Sequence, residues 1–338
     1  MRAVVYSEAG GPEVLRLVER LDPSPGAGEV RVRTKVSGVN PTDWKARQRG
    51  PSSRSADAEF VPNQDGAGVI DAVGDGVPKE RIGQRVWIWE AAWERADGTA
   101  QELVVLPSRQ AVRLPGEASF ELGASLGIPA LTAHRCLTVG EASPDRLTPG
   151  SLEGTTVLVA GGAGAVGHAA IQLARWAGAR VIATASGDEK ARLASAGGAE
   201  LVVNYRKDRA ADEIRAYASA GVDLIVEVAP AVNAVLDAAV IGQNGTIAVY
   251  AMDGGNELSM AWPLMRYNVA YCFVLVYTVL REAKDHAVAD VSAAVADGAL
   301  LVGEDAGLPL HRFPLERAAD AHAAVEASAV GKVLIDID

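Results

Sequence analysis

Residues 156–185 read TVLVAGGAGAVGHAAIQLARWAGARVIATA, and this stretch decides the fold. The apolar run at 156–160 is short enough for a buried strand. It is followed by G-x-G-x-x-G from Gly162 to Gly167, by an apolar stripe at helical spacing, and by a second apolar run at 180–185. A glycine fingerprint alone is weak evidence, but between a strand and a helix it predicts a turn that closely approaches a pyrophosphate. The alternative is a glycine-rich turn that binds nothing.

The same alternation of apolar runs and helical stripes continues to residue 250. Each strand-like run is short and rich in Val, Ile and Leu. The predicted strands lie at 201–205, 222–228 and 246–250, and the predicted helices at 190–196, 211–217 and 233–240. Alternating strands and helices predict an α/β fold with a doubly wound parallel sheet, whose ligand lies at the carboxyl ends of the strands.

Residues 1–125 lack this alternation and predict a β-rich domain. A Gly-Gly-Pro turn favours a hairpin at 2–18, and 29–37 alternates apolar and charged residues as a half-buried strand does. Strand-like runs recur roughly every ten residues between turns, which favours a compact, barrel-like domain. The polar stretch 50–59 indicates a mobile surface loop. The closing run at 331–335 predicts a strand that can return to this domain.

Composition argues against several classes of function. The chain has 338 residues, enough for two domains with separate cores. A formal net charge of −11 and a pI near 5.1 argue against binding nucleic acid or anionic membranes by bulk charge. Two cysteines, Cys136 and Cys272, exclude a disulfide framework and a four-cysteine zinc lobe. The first residues lack the apolar core of a signal peptide, and the apolar run at 269–280 is too short to span a bilayer. We therefore expect a cytoplasmic protein.

A strand-to-helix corner at residues 38–45, GVNPTDWK, carries the first candidate site residues. Asn40 precedes a proline and is biased to extended geometry, and Pro41 suits the first position of a short helix. Asn40 and Asp43 therefore lie where polar side chains can face a ligand. Capping and turn chemistry explain the same two residues equally well.

Several ordered motifs resemble one family across nearly the whole chain. They are GPEVL at 11–15, GVNP at 38–41, DGAGV at 65–69, PALTA at 129–133, GAVG at 164–167, NYR at 204–206 and GKV at 331–333. With these motifs the chain is similar to the zinc-independent quinone oxidoreductases, the zeta-crystallin-like members of the medium-chain dehydrogenase/reductase superfamily. The resemblance implies a GroES-like β-barrel catalytic domain at 1–125 and 265–338, a Rossmann domain at 126–264, NADPH as cofactor, and a homodimer.

The resemblance also implies site residues. Asn40 is expected to donate a hydrogen bond to a substrate oxygen where negative charge develops, and Asp43 to orient neighbouring donors or relay a proton. The family commonly has an aromatic residue, often Tyr, where this chain has Lys45. The expected cofactor contacts come from Lys45, Thr132, Ala163, Gly164, Ala165, Val166, Ser186, Lys190, Tyr205, Asn233, Tyr250, Ala251, Phe273, Val274, Leu275 and Lys332.

Zinc alcohol dehydrogenases belong to the same superfamily, but this chain lacks their ligands. Their catalytic zinc takes a cysteine where this chain has Asn40, and uses a Gly-His-Glu segment where this chain has Asn-Gln-Asp at 63–65. Neither a thiolate nor an imidazole is available there, although catalytic zinc normally takes three protein ligands. The histidines show no ligand-like spacing and are His134, His168, His286, His311 and His322. We therefore expect no metal.

Without a metal, the expected chemistry is direct hydride transfer from nicotinamide to an acceptor held against it. Quinones, and carbon–carbon double bonds conjugated to a carbonyl, accept hydride without a Lewis acid. The predicted function is NADPH-dependent reduction of a quinone, with reduction of an enone or 2-alkenal as the alternative. A third possibility is a non-catalytic nucleotide- or RNA-binding protein that keeps the fold, which the acidic charge balance disfavours.

The residues after the second strand favour NADPH over NADH. NAD-binding domains carry an acidic residue about 20 positions beyond the fingerprint, but the matching slot at 184–186 has no carboxylate. Ser186 leaves room for a phosphate, and the family places a 2′-phosphate-binding lysine where this chain has Lys190. Tyr205 matches a family residue near the adenosine phosphate. The two acidic residues before Lys190 repel a phosphate unless they face solvent, and Lys190 can also be an ordinary solvated charge.

Overall fold

The computed structural model describes residues 1–50, 59–255 and 257–337, so most of the predicted loop at 50–59 lies outside the described residues. The strands are β1 (Arg2–Val5), β2 (Arg16–Glu19), β3 (Glu29–Val39), β4 (Asp65–Val73), β5 (Arg85–Ile88), β6 (Leu103–Pro107), β7 (Ala111–Arg113), β8 (Thr156–Val159), β9 (Arg180–Ala185), β10 (Leu201–Asn204), β11 (Val222–Glu227), β12 (Ile241–Val249), β13 (Ala270–Phe273), β14 (Leu310–Pro314) and β15 (Lys332–Asp336). The helices are α1 (Pro41–Arg49), α2 (Phe120–Thr138), α3 (Ala165–Trp176), α4 (Asp188–Ala196), α5 (Ala210–Tyr217), α6 (Pro230–Val240), α7 (Trp262–Arg266), α8 (Arg281–Ala296) and α9 (Ala318–Glu326). Among the helices of these residues, none combines the length and hydropathy that a membrane span requires.

The chain folds into two units, Met1–Ile128 with Leu310–Asp338, and Pro129–Pro309. The prediction that the first domain resumes at residue 265 was wrong. Residues 265–309 belong to the second unit because β13 pairs with β12 and extends its sheet, and because α8 packs against α3.

The second unit is built on a sheet in the order β10-β9-β8-β11-β12-β13, in which every neighbouring pair is parallel. This is the strand order of a doubly wound sheet, the fold class predicted from the sequence. Its strands read as continuous apolar runs because helices cover both faces, and Leu158, Ile182 and Ile225 are buried in the core. The sequence did not predict β13, which has only four residues and is partly exposed.

The first unit is organised around β3, which pairs antiparallel with β4, β6 and β15. Its sheet runs β14-β15-β3-β4-β5-β7. Alternate residues of β3, Val30, Val32 and Val36 among them, are buried as predicted. The return of the closing strand is also confirmed, with Val333 of β15 opposite Val39 of β3. This pairing brings the start of β15 beside the corner at which β3 ends and α1 begins.

Candidate functional site

Asn40 lies at the corner between β3 and α1. Its backbone is extended (φ −122°, ψ 159°), and Pro41 takes the first helical position. Asp43 Oδ2 accepts the backbone N–H of Asn40 at 2.7 Å, which stabilises the start of the helix. Both side chains are buried. The capping interpretation is therefore confirmed for the Asp43 side chain.

The Asn40 side chain belongs to a buried polar cluster with Asp65 and Lys332. Lys332 Nζ donates to Asn40 Oδ1 at 2.7 Å and lies 3.4 Å from Asp65 Oδ2. Asn40 Nδ2 donates to the same Asp65 oxygen at 2.7 Å, and the backbone N–H of Ile128 donates to Asp65 Oδ1 at 2.8 Å. The cluster fixes the Asn40 amide, because its oxygen faces an ammonium and its nitrogen faces a carboxylate.

Burial opposes every charge in this cluster. It lowers the pKa of Lys332, which Asp65 and then Asp43 raise again. Burial raises the pKa of Asp65, and the Lys332 ammonium and the Asn40 amide lower it. For Asp43, burial and the neighbouring Asp65 charge together raise the pKa to about 8. The Lys332–Asp65 ion pair offsets part of the cost of burying its two charges, and the raised pKa of Asp43 favours its protonated form at neutral pH.

The residues at this corner do not fit a zinc ion. Asn40 offers an amide, and Gln64 Oε1 accepts the backbone N–H of Ala92 at 3.0 Å. The carboxylate of Asp65 faces an ammonium, which repels a divalent cation. Within residues 1–50, 59–255 and 257–337, no group of three or more His, Cys, Asp or Glu side chains is arranged to hold a metal ion. The donor set is that of a buried ion pair.

The glycine fingerprint lies between β8 and α3 and fits a bound pyrophosphate. A Cβ on Gly167 would come within 2.5 Å of the Gly161 carbonyl oxygen, and a Cβ on Gly162 would lie 2.9 Å from the Ala183 side chain, so both positions require close packing. A Cβ on Gly164 would meet the Gly161 carbonyl at 3.5 Å and otherwise open space among the described residues. The N–H groups of the first helical turn have no partner within the helix and attract an anion.

The other cofactor residues predicted for this unit lie mainly beyond the carboxyl ends of the strands. Because the strands are parallel, these ends meet at one edge of the sheet. The residues after β9, β10 and β12 are respectively Ser186 with Lys190, Tyr205, and Tyr250 with Ala251. Phe273 ends β13 and is followed by Val274 and Leu275. Asn233 lies in α6, after β11, whereas Thr132 is buried in α2.

A cavity of about 210 Å³ lies beside the end of β13. Phe273, Val274 and Leu275 line it together with Arg135, Val139, Thr278, Val279 and Leu280. Three predicted cofactor residues are thus brought together in one concave site.

Two predicted cofactor residues lie in the first unit. Lys45 is exposed on α1, with its ammonium 5.5 Å from the centre of the Trp44 ring. The Lys332 side chain is 1% exposed, and its ammonium is bonded to Asn40 and Asp65. Two of the three ammonium hydrogens thus have partners within the protein.

The corner predicted to choose between NADPH and NADH is formed after β9 and β10, which are neighbouring parallel strands. Ser186 and Tyr205 follow the two strand ends, and Lys190 lies exposed in the first turn of α4. Asp188 and Glu189 in the same turn are also exposed.

Sequence reasoning missed two buried carboxyl groups at the same edge of the sheet, Glu227 and Asp237. Glu227 ends β11 and accepts the side-chain N–H of Asn233 at 2.9 Å through Oε1. Asn233 and Asp237 are four residues apart in α6, so they lie on one face of the helix. The sequence offered one signal for this pair: a glutamate at the end of a strand, followed by an Asn and an Asp four residues apart in a helix.

Lys332→Met should destabilise the first unit by about 3–5 kcal/mol at pH 7, because it leaves Asp65 buried without its ammonium. Without Lys332 the folded-state pKa of Asp65 stays above its unfolded value, so the loss should shrink as the pH falls towards 5. Urea unfolding followed by tryptophan fluorescence measures this, since four of the six tryptophans lie in this unit: Trp44, Trp87, Trp89 and Trp93.

The exposed Lys79 provides the control variant, Lys79→Met. The ion pair would be contradicted if both variants lost the same free energy of unfolding. It would also be contradicted if the loss for Lys332→Met stayed the same from pH 5 to pH 8.

Comparison with known proteins places these features in a family. The model of the alcohol dehydrogenase GroES-like domain matches residues 26–116, and the model called zinc-binding dehydrogenase matches residues 165–290. The quinone oxidoreductase of Lama guanicoe is 31% identical over 99% of this chain and 97% of its own length.

Solved structures agree with this assignment. A mycobacterial protein solved as a complex with NADPH is 29% identical with a TM-score of 0.81, and an NAD-dependent alcohol dehydrogenase is 29% identical with a TM-score of 0.85. Each comparison covers 100% of both chains. The two units therefore have the GroES-like and Rossmann folds, and the chain belongs to the quinone oxidoreductase family of the medium-chain dehydrogenase/reductase superfamily.

Proposed function

We propose that this protein is an NADPH-dependent quinone reductase that works without zinc. The observation that carries the proposal is a full-length likeness to quinone oxidoreductases combined with a corner whose donors form an ion pair. The nicotinamide, when bound, supplies the hydride. A quinone accepts hydride without a Lewis acid, so this donor set supports a quinone substrate over an unactivated ketone or alcohol.

The choice of NADPH rests on the residues at the sheet edge. The two structural relatives differ, since one was solved with NADPH and the other is called NAD-dependent. In this chain the slot at 184–186 has no carboxylate to grip a ribose 2′-hydroxyl. Lys190 is exposed shortly after that slot in the sequence. Arg206 is exposed after β10, the strand that pairs with β9. Both positive charges favour a bound phosphate.

We assign the catalytic role to Asn40, which is positioned by Asp43. Asn40 Nδ2 carries two hydrogens, of which Asp65 takes one. The second can be donated to the acceptor oxygen, although the 3% exposure of Asn40 leaves only an edge of the amide for this contact. Asp43 holds the Asn40 backbone through its 2.7 Å bond and so sets the position of that edge.

We further propose a cytoplasmic homodimer. In the described sheet β13 is the terminal strand, and an unpaired edge strand is a surface for pairing with another chain. Large apolar side chains on β13 and around it are exposed, namely Trp262, Met265, Phe273, Leu275 and Leu280. A second copy of the chain would cover them. Both cysteines are free, which suits a reducing compartment.

The activity is tested by following NADPH and NADH oxidation with 9,10-phenanthrenequinone, a 1,4-quinone and an unsaturated ketone, and NADP⁺ reduction with simple alcohols. We expect turnover with the quinones, a smaller rate with the ketone and none with the alcohols. Preferential turnover of the ketone would favour the enone reductase. Cofactor binding with no turnover would favour a binding protein.

Lys190→Glu tests the cofactor assignment. Because it replaces an attractive charge by a repulsive one, we expect KM for NADPH to rise roughly tenfold to a hundredfold while KM for NADH changes little. Arg192→Glu makes the same charge change at an exposed position of the same helix and should leave the ratio unaltered. Equal kcat/KM for the two cofactors in the unaltered protein would refute NADPH specificity.

A further inference from the structure

The buried carboxyl groups of Glu227 and Asp237 lie beside a predicted cofactor residue. Glu227 is 0% exposed and Asp237 1% exposed. Glu227 Oε1 accepts the backbone N–H of Ala229 and, at 2.9 Å, the side-chain N–H of Asn233. These two bonds tie Glu227 to the first turn of α6 at the carboxyl edge of the sheet.

The two carboxyl groups are neighbours, since each shifts the pKa of the other. Glu227 Oε2 and Asp237 Oδ2 are both buried, and neither has a hydrogen-bond partner within the described part of the chain. Two ionised carboxylates buried side by side repel each other, and neither can donate to the other. A proton on one of the two would give both oxygens a partner.

The available donors decide which group is protonated. Glu227 receives N–H bonds that stabilise its ionised form, so it is the acceptor of the pair. Asp237 has burial and the Glu227 charge acting on it, and both raise its pKa, to about 9. Asp237 is then the group that keeps its proton at neutral pH.

Groups on the surrounding elements do not supply a competing charge. Tyr271 on β13 has its pKa raised to about 12 by burial and by these two carboxyl groups, and burial also raises the pKa of Tyr250, which follows β12. On α5, Arg215 donates to the backbone carbonyls of Ala239 and Ile241. The other acidic groups on or directly after those elements are exposed, namely Asp212, Glu213 and Asp253.

We propose that Asp237 is a positioning residue for the cofactor: as the protonated acid it donates a hydrogen bond to Glu227, and Glu227 in turn fixes the Asn233 amide. With Nδ2 bonded to Glu227, Asn233 presents Oδ1 as an acceptor at the carboxyl edge of the sheet, suited to a hydroxyl or amide donor of a dinucleotide. The inference rests on the proposed function, since it assumes that a nicotinamide dinucleotide binds at this edge.

The test compares the unaltered protein with Asp237→Asn, whose amide donates the same bond without titrating. The Kd of NADPH, and of NADH, is measured by fluorescence titration from pH 6.5 to pH 10. We expect equal affinities at pH 6.5, and about tenfold weaker binding by the unaltered protein at pH 10, because one proton is lost there. Asp212→Asn, on the exposed face of α5, should follow the unaltered protein at every pH.

Relative to Asp237→Asn, Asp237→Leu should bind NADPH about tenfold more weakly at every pH. If this variant does not fold, the comparison with Asp237→Asn still decides. An affinity ratio between the unaltered protein and Asp237→Asn that stays flat from pH 6.5 to pH 10 would overturn the inference.

Quinone reduction is not a readout of this test, so the two proposals can fail separately. A protein that shows the expected affinity ratio but reduces no quinone leaves the positioning role standing and refutes the proposed activity. A protein that reduces quinones with a flat ratio refutes the positioning role alone. Failure to bind either dinucleotide would refute both.

Discussion

The bond between the Lys332 ammonium and the Asn40 amide, shared with the Asp65 carboxylate, is the constraint on which the first unit depends. A buried ammonium is costly unless it is paired and hydrogen-bonded, so β15 must return to the end of β3 for the cluster to be satisfied. The same bonds fix which side of the Asn40 amide donates. They also occupy the corner where metal-dependent relatives in the superfamily hold zinc. One buried cation thus joins the closing strand, the proposed catalytic amide and the proposed metal-free chemistry.

The second unit also positions a predicted ligand-binding residue through a buried carboxyl group. Its parallel sheet gathers the carboxyl ends of its strands at one edge, where open glycine backbone and free N–H groups suit a dinucleotide. Asn233 at that edge is held by Glu227, to which we propose that Asp237 donates a hydrogen bond. In both units a residue predicted to act on a ligand is held by a buried carboxyl group.

Most of the fold could be predicted because it depends on local patterns. Apolar runs, helical stripes and a fingerprint in its strand–turn–helix context identified the parallel sheet, and alternation identified β3. The pattern was insufficient for β13, since its four residues lie inside the longer apolar run at 269–280, which does not show where a strand begins or ends. Without that strand, the return to the first unit was placed too early in the chain.

The sites were less predictable, because their contacts are not local. Asn40 bonds to residues 25 and 292 positions away in the chain, and no local signal announces Asp65 or Lys332 as its partners. The protonation of Asp237 follows from burial, which the spacing of charged residues does not reveal. The cofactor residues after the strand ends were accessible, because parallel topology brings those ends to one edge.

The central claim is that a buried ammonium stands where a metal-dependent relative would need a metal, so that quinone reduction proceeds without one. The most direct measurement is the zinc content of the purified protein together with its NADPH-dependent turnover of 9,10-phenanthrenequinone before and after treatment with a chelator. The account predicts well under one zinc per chain and an unchanged rate. One tightly held zinc per chain, lost together with the activity and restored together with it, would contradict the account.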